Sequence, residues 1–182
     1  MCSEENPIEI ILEKFGNSCR LQNLSRCLLA SSIGPIEIIA NPRALIEIRL
    51  KTNRDSIKNR KDPENKILSQ ARRELLDYLN GKLTIFSVPI LLAGTNFQLA
   101  VWEQLTQIPY GEKISYSALA RSIGHGGAAR AVGLANGRNK LPIIVPCHRV
   151  ICSDGKNGGY SAGTEIKDHL IKLENRQLRL GI

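Results

Sequence analysis

The chain has 182 residues, 42% of them hydrophobic and only 4% aromatic, so aliphatic side chains must supply most of an ordinary packed core. Its 25 Lys and Arg against 17 Asp and Glu leave a formal net charge of +8, which points to a polyanion such as nucleic acid or to a merely basic protein. No apolar run approaches the ~20 residues that span a bilayer, so no membrane partner is expected.

Five cysteines, Cys2, Cys19, Cys27, Cys147 and Cys152, are an odd number at spacings that match no zinc site. Reduced thiols, a cytoplasmic setting and no metal are therefore expected. Met1 to Pro7 is polar and acidic, and is expected not to be a secretory leader.

The chain reads as an α/β (α+β) protein in two regions, 1–88 and 92–182. In the first, Cys27 to Ala30 and Ile36 to Ala40 are apolar runs around Ser31, Ser32, Gly34 and Pro35, the pattern of a hairpin. Leu45 to Leu50 alternates loosely and suggests a third strand. Arg49 to Lys61 carries six basic residues and one acidic one with no apolar period, which predicts an exposed loop or a phosphate contact. Asp62 and Pro63 suit the cap and first residue of a helix. Ile67, Leu68, Ala71, Leu75 and Leu79 form its apolar face and Gly81 ends it. This region shows no chemistry of its own.

The second region opens on Thr95-Asn96-Phe97-Gln98, a capping box, ahead of a helix expected to bury Phe97, Val101, Leu105 and Ile108. Pro109, Tyr110 and Gly111 stop it. Ser115 caps a short helix through Ile123, Gly124 to Gly127 make a tight turn, and a second short helix runs from Ala128 to about Asn136. Two short helices joined by a Gly-rich turn predict a helix-turn-helix. From residue 92 onward there are 11 basic and 6 acidic residues, so most of the net charge lies with this motif. Its second helix carries Ala128, Ala129, Ala131, Gly133 and Ala135, and offers only Arg130, Asn136 and Arg138 as long polar groups. Such a surface suits sequence-tolerant contact with a groove wall and one probing arginine; alanine-rich helix packing is the other reading.

Leu141 to Val145 reads as a buried strand leading into Pro146-Cys147-His148-Arg149. A cysteine fixed by a preceding proline and followed by histidine is a candidate nucleophile, reactive as the thiolate; a small core residue is the alternative. Thr164 is placed to cap the last helix, with Ile166, Leu170, Leu173 and Leu178 on its apolar side. Glu174 falls on that same side, where a carboxylate needs a partner. His148 is an apt one, because a carboxylate fixes the ring tautomer. Helical phase thus suggests a Glu174–His148–Cys147 relay, or else a surface salt bridge.

In order along the chain, Gly94-Thr95-Asn96-Phe97-Gln98, Val101-Trp102, Ile108-Pro109-Tyr110-Gly111, Ser115-Tyr116, Ala129-Arg130-Ala131-Val132-Gly133, Asn139 and Pro146-Cys147-His148-Arg149-Val150 resemble the O6-alkylguanine-DNA alkyltransferases. The resemblance covers about residues 91 to 175. It implies a small N-terminal ribonuclease-H-like domain and a C-terminal winged helix-turn-helix domain. It also implies direct-reversal repair, with one irreversible transfer of an alkyl group from O6-alkylguanine, and from O4-alkylthymine, in double-stranded DNA to Cys147. The protein would be a monomer without cofactor, acting on a nucleoid or in a nucleus.

The same resemblance implies roles. Cys147 is the acceptor, His148 its base through a water, and Glu174 the group that orients the ring. Tyr116 rotates the base and gives the leaving guanine a proton, and Asn139 is the hinge. Arg130 enters the duplex, with Ala129, Tyr116, Asn136 and Ser115 at the DNA. Val145, Pro146, Val150, Tyr160, Ser161 and Lys167 form the guanine pocket. Lys140 stands where the family usually has proline, so no ring restrains that hinge, and Ala162 stands where glycine is common. A DNA-binding module without chemistry would leave Cys147 unexplained, and a cysteine hydrolase would need an oxyanion hole and turnover.

Overall fold

The computed structural model describes residues 8–14, 23–50 and 65–180. Among them, one five-stranded sheet has the order β1-β5-β4-β3-β2, with β1 Ile10–Lys14, β2 Ser25–Leu29, β3 Ile36–Ala40, β4 Leu45–Leu50 and β5 Ile90–Gly94. β2, β3 and β4 are antiparallel neighbours, as the apolar runs predict. β1 and β4 flank β5 and run parallel to it. These parallel pairings join residues far apart in the chain and leave no local turn signal. β3 is buried along its whole length, including Glu37, whose carboxylate meets Arg26 and Arg49 from the two flanking strands. Arg49 and Leu50 therefore end β4 instead of opening a loop; residues 51–61 lie outside the described residues.

Helix α1 (Lys66–Leu79) packs on this sheet. Its cap is Asn65, whose Oδ1 accepts the Leu68 N–H at 3.0 Å; the expected cap, Asp62 with Pro63, lies outside the described residues. Leu68, Ala71, Leu75 and Leu79 are buried as their spacing predicts, and Ile67 is half-buried. Glu74 and Tyr78 are buried as well, which an apolar pattern does not foresee. Glu74 accepts the Ser87 and Val88 N–H groups at 3.0 and 3.1 Å and so ties α1 to the segment leading into β5. Burial opposes its ionisation, but hydrogen bonds from Ser87 and Gln70 outweigh that and hold its pKa below the usual value.

Helix α2 (Asn96–Thr106) starts at the predicted capping box: Thr95 Oγ1 accepts from Gln98 N–H at 3.3 Å and Gln98 Oε1 from Thr95 N–H at 3.0 Å. Val101, Leu105 and Ile108 are buried, and Phe97 sits half-buried with its ring edge-on to His125. Ser115 caps α3 (Tyr116–Ser122) by accepting the Ala118 N–H at 3.1 Å. After the glycine turn comes α4 (Ala129–Gly137), held to α2 by the Trp102 indole N–H on the Ala135 carbonyl at 2.9 Å. A two-residue strand, β6 (Ile114–Ser115), pairs parallel with β7 (Val150–Ile151) beside these helices.

The stretch Leu141 to Val145 is buried but is not a strand. Pro142 lacks an N–H to give a ladder, and Ile143 takes a φ of +80°, a strained backbone for a β-branched residue. The segment is a tight loop closed by the Val145 N–H on the Leu141 carbonyl at 2.9 Å. Helix α5 (Thr164–Leu180) begins with Thr164 as its first residue, not its cap. Ile166 and Leu170 are buried, whereas Leu178 is 54% exposed at the rim near Gly111, so the apolar side ends sooner than its spacing predicts.

One hydrophobic core runs through both regions, from Leu29 and Ile36 to Ile166 and Leu170. The Ile48 N–H on the Lys140 carbonyl, at 2.8 Å, also crosses between them. Gly111 has φ +75°, gives its N–H to Glu174 at 3.0 Å, and leaves no space for a Cβ against the Leu178 side chain. Gly111→Ala should therefore cost about 1–3 kcal/mol, read as a lowered denaturant midpoint. Among the described residues no helix is long and apolar enough to cross a membrane.

Candidate active site and nucleic-acid face

The loop 141–145 and the single 3₁₀ turn Cys147–Arg149 set the site, with Pro146 fixing the entry to the turn. Cys147 is 1% exposed. Its sulfur lies 3.1 Å from Asn139 Nδ2, which also donates to the Val145 carbonyl at 2.8 Å. Asn139 Oδ1 accepts the Leu141 N–H at 2.9 Å. One amide thus holds both ends of the loop and the thiol. This geometry and the Ile48 bond to Lys140 restrain the Asn139–Lys140 segment without a proline ring. The Lys140 side chain is exposed.

Burial pushes the Cys147 thiol up from its ordinary value, against the opposing pull of Asn139, Tyr160 and the Lys167 charge. The resting sulfur is therefore a protonated thiol, which needs a base before it can react as the thiolate. His148 is fully buried and makes no direct hydrogen bond to Cys147. Its Nε2 lies 3.1 Å from Glu174 Oε1, and its Nδ1 is buried with no partner among the described residues. Burial lowers the His148 pKa, the Glu174 carboxylate working against it, so the ring rests neutral with its Nε2 proton on the carboxylate.

Glu174 is 2% exposed and is not a surface ion pair. Arg149 donates Nε to both carboxylate oxygens at 3.2 and 3.1 Å and Nη2 to Oε1 at 2.8 Å. The Arg149 Nη1 goes to the Ile108 carbonyl at 2.6 Å, and its guanidinium lies 5.6 Å from the Tyr110 ring centre. Tyr78, from α1, donates its hydroxyl to Glu174 Oε1 at 2.7 Å. Burial opposes ionisation of Glu174, yet the hydrogen bonds from His148 and Arg149 win and hold its pKa at about 2. Neither Arg149 nor Tyr78 is reached by reading the sequence for a relay. Arg149 was visible only as part of a motif, and Tyr78 is 96 residues from its partner.

Around the thiol, Tyr160 is half-buried and its hydroxyl lies close enough to favour the thiolate, though it has no hydrogen-bond partner of good geometry. Lys167 is fully buried and donates its Nζ to the carbonyls of Val150, at 2.6 Å, and Asn157. Its ammonium sits 6.0 Å from the Tyr116 ring centre. Tyr116 is half-buried, with Gly133 on one side and Gly158 on the other; a Cβ on Gly158 would press on Cys152 Sγ and the Tyr116 ring. Burial, then Cys152, raise the Tyr116 pKa, which keeps its hydroxyl a proton donor. Val145, Pro146 and Val150 are buried beside Cys147, while Ser161 is exposed at the edge.

Arg130 on α4 and Arg138 at its C-terminal cap are exposed, and Ala129 is half-buried. Leu134, four residues after Arg130 on the same helical face, is 67% exposed, an apolar group that sequence reading did not single out. Asn136 does not belong to this face. It is 5% exposed and donates its Nδ2 to the Cys147 carbonyl at 3.1 Å, because its position on α4 turns it toward the 3₁₀ turn. Ser115 spends its hydroxyl on the α3 cap. Among the described residues no three His, Cys, Asp or Glu side chains gather as a metal would require.

Comparison with known proteins follows this geometry. The family model described as 6-O-methylguanine DNA methyltransferase, DNA binding domain, matches residues 96–176. That of the ribonuclease-like domain of the same proteins matches residues 25–92. A methylated-DNA–protein-cysteine methyltransferase of Methanosarcina barkeri is 44% identical over 159 residues, covering 84% of this chain and 98% of that protein. The Mycobacterium bovis protein of the same name is 45% identical over 145 residues, covering 79% of this chain and 88% of its own length. The crystal structure of Mycobacterium tuberculosis OGT in complex with DNA superposes with a TM-score of 0.73 at 42% identity, over 82% of this chain and 92% of that one. With a ribonuclease-like sheet, a DNA-binding helical unit and a buried Cys-His-Glu constellation between them, the chain belongs to the methylated-DNA–protein-cysteine methyltransferase family.

Proposed function

We propose that this protein repairs DNA by direct reversal, taking the alkyl group from O6-alkylguanine, and from O4-alkylthymine, onto Cys147 in one irreversible step. The observation that carries the reading is the buried thiol held by Asn139, one residue from a neutral histidine whose outer nitrogen is anchored on Glu174. The named relatives and the DNA complex of a homologue support it.

The chemistry follows from the placement of each group. A guanine O6 inside a stacked duplex is out of reach of a sulfur that is 1% exposed, so the nucleotide must leave the stack. Arg130 fills the space it leaves, Ala129 lets the α4 backbone approach the groove, and exposed Leu134 lies against its apolar walls. The base enters the pocket of Val145, Pro146, Val150, Tyr160, Ser161 and Lys167. His148 Nδ1 accepts the thiol proton through a water. The sulfur then attacks the alkyl carbon, the carbon–oxygen bond breaks with its electrons left on the purine, and the Tyr116 hydroxyl supplies the purine with a proton. The proton taken up by His148 then returns through water to the Tyr116 oxygen, so that in sum the alkyl group passes to sulfur and the thiol proton to the base. Lys167 stabilises the transient thiolate. A thioether is stable to water and to the histidine beside it, so each molecule reacts once.

In this reading residues 1–88 form a supporting domain and 92–182 the DNA-binding and reacting one. The protein acts as a monomer without cofactor, in the cytoplasm or wherever the cell keeps its DNA. The test is intact-mass measurement after incubation with a duplex carrying O6-methylguanine. A gain of one methyl group on the peptide containing Cys147 is expected; repaired DNA without that gain, or no repair, overturns the reading. Arg130→Ala should slow repair of duplex by about tenfold or more while leaving reaction with free O6-benzylguanine nearly unchanged. Equal losses on both substrates would remove Arg130 from base extrusion.

A further inference from the structure

Tyr78 stands out because it lies in the region that showed no chemistry of its own. It is fully buried on α1, packed against the rings of Phe86 and Tyr110, with centroids at 5.3 and 6.0 Å. Those apolar contacts explain a phenylalanine equally well. The hydroxyl is what they do not explain, and it is aimed at the carboxylate that holds His148.

We propose that Tyr78 is a positioning residue for the transfer step, its hydroxyl setting how tightly Glu174 Oε1 holds the His148 imidazole proton. The inference rests on the functional reading above for its consequence in repair, though not for its effect on His148. Glu174 Oε1 receives Tyr78 at 2.7 Å, His148 Nε2 at 3.1 Å, and Arg149 Nε and Nη2 at 3.2 and 2.8 Å. That is more donors than its lone pairs accommodate well, so they compete. The Tyr78 oxygen is also 3.4 Å from His148 Nε2, within reach of the same proton. Tyr78 and Glu174 together therefore place a proton on Nε2 and leave Nδ1 as the free lone pair. Donation from Tyr78 draws charge away from Oε1, which weakens the carboxylate's pull toward an imidazolium. The other charged or titratable groups around the pair are Arg149 and Cys147 in the same turn, Lys167 on α5, and Tyr110 with the Gly111 N–H after α2. None of them donates a neutral hydroxyl to Oε1.

Removing the hydroxyl leaves more charge on Oε1 and favours the protonated ring. The expected sign follows: a protonated His148 does not accept the thiol proton, so the acid limb of the transfer rate moves to higher pH. Tyr78→Phe keeps the ring packing. It should shift that limb up by about one pH unit, a rate loss of about tenfold on the acid side, equal for duplex and for free O6-benzylguanine, with DNA affinity unchanged. The ¹⁵N titration of His148 should shift in the same direction, and this readout does not need an active protein. Single-site 3-fluorotyrosine at position 78, a stronger donor of the same shape, should move the limb and the titration the other way. An unmoved limb and titration in the folded Phe variant would overturn the inference, as would a loss uniform across pH. If Tyr78→Phe does not fold, a fluorotyrosine protein with an unchanged titration does the same. Wild-type protein that takes up no methyl group would sink the repair reading alone, since the titration still reports on Tyr78.

Discussion

Cys147→Ala should take up no alkyl group at all, yet bind alkylated duplex with wild-type affinity in a gel-shift titration. The side chain is small and buried, and the exposed Arg130 proposed to meet DNA does not depend on the sulfur, while the bonds from Asn136 and Asn139 to the loop go to backbone carbonyls that the substitution keeps. Losing one sulfur from a filled site costs about 1–2 kcal/mol of stability, too little to unfold the domain. Transfer remaining in this variant would place the acceptor elsewhere, and Cys152, beside Tyr116, would be the first residue to examine.

The protonation states add a second expectation for the wild-type protein. Cys147 rests as a thiol because burial raises its pKa, so it should be sluggish toward small thiol reagents at neutral pH. His148 is depressed below its ordinary value, so the ring stays neutral, and competent as a base, as pH falls through 6.5. Transfer should persist there and decline only at lower pH. The linkage has the same sign: below 6.5 the unfolded chain binds a proton at this histidine that the folded one refuses, so stability falls as the solution is acidified.

Much of this site was legible because it is local. The Thr95–Gln98 capping box and the Ser115 cap are satisfied by residues three apart, so their letters carry their partners. Glu174 was found by helical phase, since a carboxylate among Ile166 and Leu170 must be answered by something buried. Its histidine partner was legible too, because His148 is the histidine beside the candidate nucleophile, and its Nε2 lies 3.1 Å from Glu174 Oε1. The other two partners were not: Arg149 and Tyr78 reach Glu174 across 25 and 96 residues, a separation at which no periodicity constrains the pair. Asn136 was misjudged for a related reason. Its place on the second short helix was right, but the side of that helix it occupies depends on where the 3₁₀ turn packs. Leu141 to Val145 showed the limit of apolar runs: burial was right, extended structure was not, since Pro142 and the φ of Ile143 forbid it.

Glu174→Gln should be strongly destabilising, by about 3–5 kcal/mol in denaturant unfolding. Every group facing the carboxylate is a donor: Tyr78 O–H, the His148 Nε2 proton, the Arg149 guanidinium and the Gly111 N–H. An amide puts its NH₂ against some of them and leaves the buried Arg149 charge without a counterion. The pH dependence is worked out from the same ion pair. Glu174 is held at about 2 in the folded protein against 4.5 in the unfolded one, so its contribution is complete above pH 4.5 and is lost as pH falls toward 2. The variant should therefore show a flatter stability profile in that window than the wild type. A double change separates architecture from chemistry. Glu174→Leu with Arg149→Met removes both charges together and should recover much of the lost stability, as apolar replacement of buried ion pairs does. It should not recover transfer, because His148 then has no carboxylate to fix its Nε2 proton and keep Nδ1 as the free lone pair. Recovery of both would mean that Glu174 serves the fold alone; recovery of stability without transfer assigns it to the relay.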